Sequence, residues 1–389
     1  MAFPTPDKEH HVNLTHRPAL GLGAVVAALA IGACGSSSTT HTTAAAPAAA
    51  TSTAAASASA GATNVPGADL HANKGAGKGP TLLVYSAQGY DANTVKAFSQ
   101  ATGVPTELVD DSTGPLLARI QAEKANPQWG LLWVDGATAF ASLDQQGLLE
   151  KNLKVPALDS AGTKVLPSDR SFIPTGITGA CTIVYNAKAL SNPPSSFQGL
   201  LSPSLKGKVG MNDPAVSGPT YPCVAGLMQM LGGVSAGEGF LRKLKANGLH
   251  VSQTNGDTLH LLTTGQIDVG LIQSSAALGA ALGTPGLKVK FLNGITALPS
   301  AIGVDAKAPA AVKAEAQKFI DYVLSPAGQH QMQTGDPTGD SLFWPTAVNT
   351  TPLKGLPAYS SLQTQTINPY TWGSRESAVN GWFTNNIAQ

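Results

Sequence analysis

Four short loops rich in hydroxyl and backbone donors are where this chain can do chemistry. The first is Ser86-Ala87-Gln88-Gly89, and the second is Ser112-Thr113-Gly114. Asp135-Gly136 is the third, and Ser217-Gly218-Pro219-Thr220-Tyr221 is the fourth. Each of the first three follows a β-rich run, and the second and fourth each precede a helical stretch. Ser112 and Thr113 therefore present hydroxyls and N–H groups at a helix N-terminus, an arrangement suited to a small anion. The same residue types also make an ordinary N-cap, and Ser217–Thr220 also reads as an ordinary turn. Asp135 either caps the helix that follows or receives an amino group of a ligand. No activated nucleophile is apparent: Ser112 and Ser217 lie in no G-x-S-x-G elbow, and no His sits in a triad setting. No CxxC, HxxxH or HExxH occurs, so neither a metal nor a cofactor is expected.

The elements that must position these loops alternate. Thr81–Ser86, Thr106–Asp110 and Trp129–Val134 read as strands, and each is followed by a helical stretch: Asp91–Thr102, Ser112–Lys124, and from Asp135-Gly136 to Gln146. Repetition of strand, loop and helix means a parallel sheet wrapped by helices. A second set follows, with strands at Cys181–Tyr185, Gly207–Met211 and Val269–Ile272. Helices are expected at Tyr221–Leu231, Glu238–Ala246 and Thr258–Thr264. Val312–Leu324 is the clearest helix, with Val312, Ala316, Phe319, Ile320 and Val323 on one face and Ser325-Pro326 ending it. A last helix is expected over Tyr370–Phe383. The expected fold class is α/β, in two lobes.

The N-terminal third of the first hundred residues sets the compartment. Leu20–Ala33 consists wholly of Leu, Ala, Val, Ile and Gly, too short to span a bilayer but suited to a signal-peptide core. It ends at Cys34, a pattern similar to a bacterial lipobox, in which the Cys is acylated. A plain secretory signal cleaved near Ala33 is the alternative. The expected division is signal peptide 1–33, then the lipidated Cys and an Ala/Ser/Thr-rich tether over 34–79 that cannot bury apolar surface. Roughly 300 residues remain, enough for two lobes. The net charge is +1 and charged residues make up 12 %, with no basic stripe, which argues against a nucleic-acid partner. Cys181 and Cys223 form an even pair in an oxidising compartment, where a disulfide is expected and two buried thiols are the alternative.

A set of segments carries a family resemblance. Leu83–Asp91 (LVYSAQGYD), Gly114–Glu123 (GPLLARIQAE), Trp133–Gly136 (WVDG) and Leu143–Leu149 (LDQQGLL) belong to it. So do Tyr185-Asn186, Asn212–Ala215 (NDPA), Thr264–Gly270 (TGQIDVG) and Ala316–Ser325 (AQKFIDYVLS). In this order they resemble the bacterial extracellular solute-binding proteins of ABC importers, in the branch of ferric-iron, thiamine and phosphonate binders. The resemblance implies a type II periplasmic-binding fold with a hinge and a ligand cleft between lobes. Lobe one would take 80–175 and 292–344, and lobe two 176–291 and 345–389. It also implies a monomeric receptor, held at the membrane through Cys34, that closes on a small ligand and docks on an ABC permease.

Ferric-iron members carry adjacent tyrosines after the last strand of lobe two. Here that position reads Gln273-Ser274-Ser275, and no Tyr pair occurs anywhere in the chain. A serine hydroxyl is a poor substitute for phenolate on Fe³⁺. The expected ligand is instead a phosphonate or phosphate ester, anionic or zwitterionic. Ser86, Gln88, Ser112, Thr113, Asp135, Gly136, Thr178, Ser217, Gly218, Thr220, Tyr221 and Ser274 would contact it. An iron or other cation receptor of the same fold, a secreted hydrolase and a sensor or adhesin are the competing readings.

Overall fold

The computed structural model describes residues 69–73 and 79–389. The signal peptide, Cys34 and almost all of the tether lie outside the described residues. The chain opens with strand β1 (Asp69–Asn73) and β2 (Leu82–Ser86), followed by helix α1 (Asp91–Thr102) and β3 (Thr106–Asp110). Helix α2 (Thr113–Ala122), β4 (Leu131–Asp135) and α3 (Ala137–Gln145) complete the first run, and α4 (Ser160–Val165) follows. These elements match the expected alternation because each helix buries one apolar stripe, such as Val95 and Phe98 in α1, or Leu116 and Ile120 in α2.

β5 (Phe172–Ala180) then leads directly into β6 (Thr182–Asn186). β7 (Val209–Asn212), α5 (Thr220–Met230), α6 (Val234–Ala246), β8 (His250–Ser252), α7 (Asn255–Thr263) and β9 (Val269–Ile272) follow. After α8 (Ser274–Gly283) and β10 (Leu287–Lys290), the long β11 (Ile295–Val304) returns to the first sheet. α9 (Ala310–Val323), α10 (Pro326–Gly335), β12 (Trp344–Pro345), β13 (Thr364–Gln365), α11 (Pro369–Gly373) and α12 (Glu376–Phe383) end the chain. The single helix expected over Tyr370–Phe383 is thus two short helices, broken at Ser374-Arg375.

Two sheets result. The first has the order β1-β3-β2-β4-β11-β5-β12, with β13 beside β11, and the second the order β10-β6-β9-β7-β8. β2 pairs parallel with β3 and β4, and β7 pairs parallel with β8 and β9. β5 and β11 pair antiparallel with each other, with a bulge between Ser300 and Ala301. Both strands are buried at every position, so they lack the alternation that marks a half-exposed strand, and each contains a proline. The sequence reading missed both for that reason.

Each sheet has its own core. Trp133, Tyr90, Phe98 and Phe319 pack in one cluster against the first sheet, with Tyr90 and Trp133 ring centroids 5.3 Å apart. Met211, Tyr221, Leu271 and Phe240 centre the core of the second, which the C-terminal Trp372, Val379 and Phe383 complete. Trp344 and Trp372 are both buried, with Trp372 Nε1 donating to Gln229 Oε1 (3.3 Å).

Cys181 and Cys223 are bridged, with Cα atoms 5.0 Å apart. The bridge ties the β5–β6 junction to α5. It closes a loop with a sequence separation of 42, worth about 4 kcal/mol in the chain-entropy picture. The paired Cys181→Ser and Cys223→Ser variant is therefore expected to unfold at lower urea than the parent. The parent should yield two alkylatable thiols at these positions only after reduction. An unchanged urea midpoint would show that the bridge adds nothing to stability.

Candidate functional site

The ends of β4 and β9 bring the site together. β4 ends at Asp135 and β9 is followed by Gln273, so one residue from each sheet reaches the same buried spot. Gln273 Nε2 donates to Asp135 Oδ2 (2.8 Å) and to Thr178 Oγ1 (3.3 Å). Gln88 Nε2 donates to Asp135 Oδ1 (3.2 Å), and Ser300 Oγ donates to the same oxygen. Asp135, Gln88, Gln273, Thr178 and Ser300 are all buried. Gln88 Oε1 has no partner. Gly136 next to Asp135 has φ +99, a conformation suited to glycine, and its N–H bonds the Pro299 carbonyl (2.9 Å). Asp135 makes no cap for α3.

The network continues into the second sheet. Asn255 Nδ2 bonds Gln273 Oε1 (3.4 Å), Asn212 and Asn255 side chains are 2.7 Å apart, and Asn212 is joined to Ser217 Oγ (3.2 Å). A capping box of Thr254 and Asp257 fixes the start of α7, and hence Asn255. Ser274 Oγ accepts from Gly179 N–H (2.8 Å), so that hydroxyl braces the β5 strand.

A second carboxylate joins from the loop after α10. Asp340 Oδ2 accepts from Gly89 N–H (2.9 Å), and its Oδ1 accepts from Ser275 Oγ (3.2 Å). Burial, then repulsion from Asp135 and Asp336, pushes the Asp340 carboxyl up to about 7. Burial also raises Asp135, opposed by its bonds from Ser300, Gln88 and Gln273. No Lys or Arg takes part in any of these bonds. The described hydrogen-bonding groups thus offer two carboxylates, with amide and hydroxyl oxygens beside them, as acceptors suited to an ammonium group.

The structure also shows where the other expected residues lie. Ser86 Oγ accepts from Gln88 N–H (3.3 Å) and shapes the first loop. The α2 and α5 N-termini do meet, but in direct contact: Gly114 N–H donates to the Val216 carbonyl (3.0 Å). A Cβ at Gly218 would fall 2.3 Å from Thr113 Oγ1. Ser112 caps α2 by backbone geometry, without a side-chain cap bond. Thr220 is buried at the first position of α5. Tyr221 is not with the others, because its phenol donates to the Trp372 carbonyl inside the second core. Sequence reasoning missed Asn212, Asn255, Ser300 and Asp340 as site residues. The NDPA segment and the DPTGD loop were the available signals.

The sequence profile of the bacterial extracellular solute-binding protein family matches residues 93–347. The chain belongs to that family. These are binding proteins and not enzymes, and they work outside the cytoplasm with ABC importers. Among curated relatives, a Salmonella typhimurium protein named "Putative 2-aminoethylphosphonate-binding periplasmic protein" is 26 % identical over 239 residues, covering 60 % of this chain and 68 % of the relative. Among solved structures, AfuA from Actinobacillus pleuropneumoniae, with fructose-6-phosphate bound, superposes with TM-score 0.70 at 19 % identity. That match covers 80 % of this chain and 99 % of AfuA. Iron-bound HitA from Pseudomonas aeruginosa superposes with TM-score 0.65 at 21 % identity, covering 77 % and 98 %. The fold is therefore the two-lobed type II periplasmic-binding fold, and the polar network lies where its two lobes meet.

Two measurements follow from this geometry. A carboxyl whose folded value is near 7, against an ordinary value near 4, binds a proton in the folded state that the unfolded chain has already lost. The stability of the ligand-free protein should therefore fall as pH rises from about 4 to about 7, and Asp340→Asn should flatten that fall. An identical pH profile in Asp340→Asn would contradict the placement of Asp340. Separately, a Cβ at Gly114 would lie 2.0 Å from the Ala215 carbonyl oxygen. Gly114→Ala should hold the lobes apart and raise the radius of gyration in small-angle scattering.

Proposed function

We propose that this protein is a solute receptor, tethered through Cys34, that captures a small zwitterion and presents it to an ABC permease. The zwitterion we propose is an aminoalkylphosphonate. The observation that carries this reading is the buried Asp135, held by Gln88 from one lobe and Gln273 from the other. A ligand ammonium would take the place of these amide donors at Asp135, with Asp340 as the second anionic neighbour. Its phosphonate would lie toward the α2 and α5 N-termini, on Ser112, Thr113, Ser217, Gly218 and Thr220. Gly114 N–H, which bonds Val216, is not available to it unless that contact opens. The name of the Salmonella relative supports the same ligand class.

Ser274 and Ser275, at the position of the iron-binding tyrosines of the resembling branch, hold Gly179 and Asp340 instead. We take 80–175 with 292–344 as lobe one and 176–291 with 345–389 as lobe two, with closure at β5 and β11. Closing on the ligand fixes the interlobe bonds and presents the closed form to the permease.

Calorimetric titration of the full chain tests this reading. 2-Aminoethylphosphonate should bind at one site, and methylphosphonate and inorganic phosphate at least tenfold more weakly. Asp135→Asn should cost tenfold or more, through loss of the charged partner. Ser217→Ala with Thr220→Ala should cost about as much, with the unfolding midpoint little changed. Binding of Fe³⁺-citrate in place of the zwitterion, or equal affinity of the Asp135→Asn variant, would overturn the proposal.

A further inference from the structure

Strand β1 lies within the tether stretch of the sequence, yet it belongs to the first sheet. Its five residues, Asp69–Asn73, pair antiparallel along the whole of β3. Asp69 stands opposite Asp110, and Asn73 opposite Thr106. On the other side of β3, β2 pairs in parallel, with Leu82 opposite Thr106 and Ser86 opposite Asp110. The three strands thus define two ends of the sheet. Asn73, Thr106 and Leu82 mark one end. Asp69, Asp110 and Ser86 mark the other, where the chain runs on into the Gln88 loop and Ser112 and where β4 delivers Asp135. This second end carries the candidate site.

The direction of β1 decides where the preceding chain departs. If the sheet began at β2, the chain leading back to Cys34 would depart beside Leu82, from the end opposite the site. Because β1 runs back along β3, that chain departs at Asp69, beside Asp110, from the site end. Five residues at about 3.3 Å each move the point of departure by about 17 Å. β1 is also the outermost strand of its sheet, and it pairs an edge of β3 that would otherwise be open to another chain. Covering that edge requires a strand but no particular direction. A parallel β1 would cover it too, and would send the tether to the opposite end.

We propose that β1 is an anchoring strand, which pins the lipid tether to the site end of lobe one and so holds the ligand-binding edge, rather than the opposite edge, toward the membrane. The proposal rests on Cys34 being the lipid anchor, and it is independent of which ligand the cleft takes. An anchored point stays on average nearer the bilayer than the far end of the same lobe. Release of β1 from β3 would lengthen the tether and move its origin to Leu82. The paired and unpaired forms therefore present opposite ends of the lobe to the membrane.

Two measurements on the full chain test this, with the parent set beside a Leu70→Pro, His71→Pro double variant. Successive backbone N–H groups of a strand point to opposite sides, so one of these two prolines removes a donor to β3. In residue-resolved hydrogen exchange, alternate amides of Thr106–Asp110 should exchange at least tenfold faster in the variant, and those facing β2 should not change. Replacing residues 69–73 by a Gly/Ser segment of equal length should do the same. In the second measurement the lipidated chain is placed in phospholipid vesicles that carry an acceptor dye, with a donor dye on Ala92→Cys or Ala125→Cys. Both positions are exposed, Ala92 in the first turn of α1 at the site end and Ala125 in the turn before β4 at the opposite end. Energy transfer from position 92 should be at least twice that from position 125 in the parent, and the difference should vanish or reverse in the proline variant. Unchanged exchange in both β1 variants, or equal or greater transfer from position 125 in the parent, would overturn the proposal. Retention of a Cys34→Ala chain on the vesicles would overturn the Cys34 reading and the orientation with it, while the exchange result still decides the pairing.

Discussion

Everything about this site depends on a buried carboxylate that belongs to one sheet and is bonded from the other. Asp135 cannot stay charged in an apolar interior unless donors surround it. Here they arrive from Gln88 and Ser300 on the first sheet and Gln273 on the second. The bond between Asp135 and Gln273 forms only when the two lobes meet. Separation of the lobes would expose the carboxylate to water, which solvates it well. On the proposed reading, a ligand cation at that point would take up the desolvated charge and favour closure.

The scaffold makes such a switch workable. Parallel strands put their C-terminal ends, and the loops that follow them, on one edge of each sheet. β2, β4, β7 and β9 all deliver site residues this way: the Ser86 loop, Asp135, Asn212 and Gln273. β5 and β11 lie in the first sheet, and β5 runs straight into β6 of the second. A small change of backbone angle at such a crossing moves a whole lobe without disturbing either core. The disulfide between Cys181 and Cys223 anchors one end of that crossing to α5, whose first turn follows the Ser217 loop.

The absence of Lys and Arg from the network has a chemical consequence. Receptors for bare anions can use helix N-termini and hydroxyls, but two carboxylates beside those groups repel an anion. The proposed zwitterion would reconcile the two halves of the site, with acceptors for the ammonium and N–H or O–H donors for the acid. The Gly114 N–H bond to the Val216 carbonyl brings the first turn of α2 against the loop ahead of α5, and the absence of a Cβ at Gly114 is what permits it.

The amphipathic helices, the β2–β3–β4 run and its α/β class follow from the chain alone, because an apolar stripe of period 3.6 must face a sheet. Asp91–Thr102 and Thr106–Asp110 could be read to the residue for that reason, and Cys181 with Cys223 could be paired from the compartment. The loops that carry Gln88, Asp135, Ser217 and Ser274 could be placed beside strands from the small polar residues that follow them, at the edge where an α/β fold is expected to bind ligand. β5 and β11 were not, because a strand buried on both faces has no alternation to read. Nor could local sequence show that Asp340 would reach Gly89 and Ser275, or that Tyr221 would turn inward to Trp372. Those contacts join residues 65 to 251 positions apart. Only tertiary packing, within a lobe for Gly89–Asp340 and Tyr221–Trp372 and between lobes for Ser275–Asp340, brings such residues within hydrogen-bond distance, and no local pattern of residue types records it.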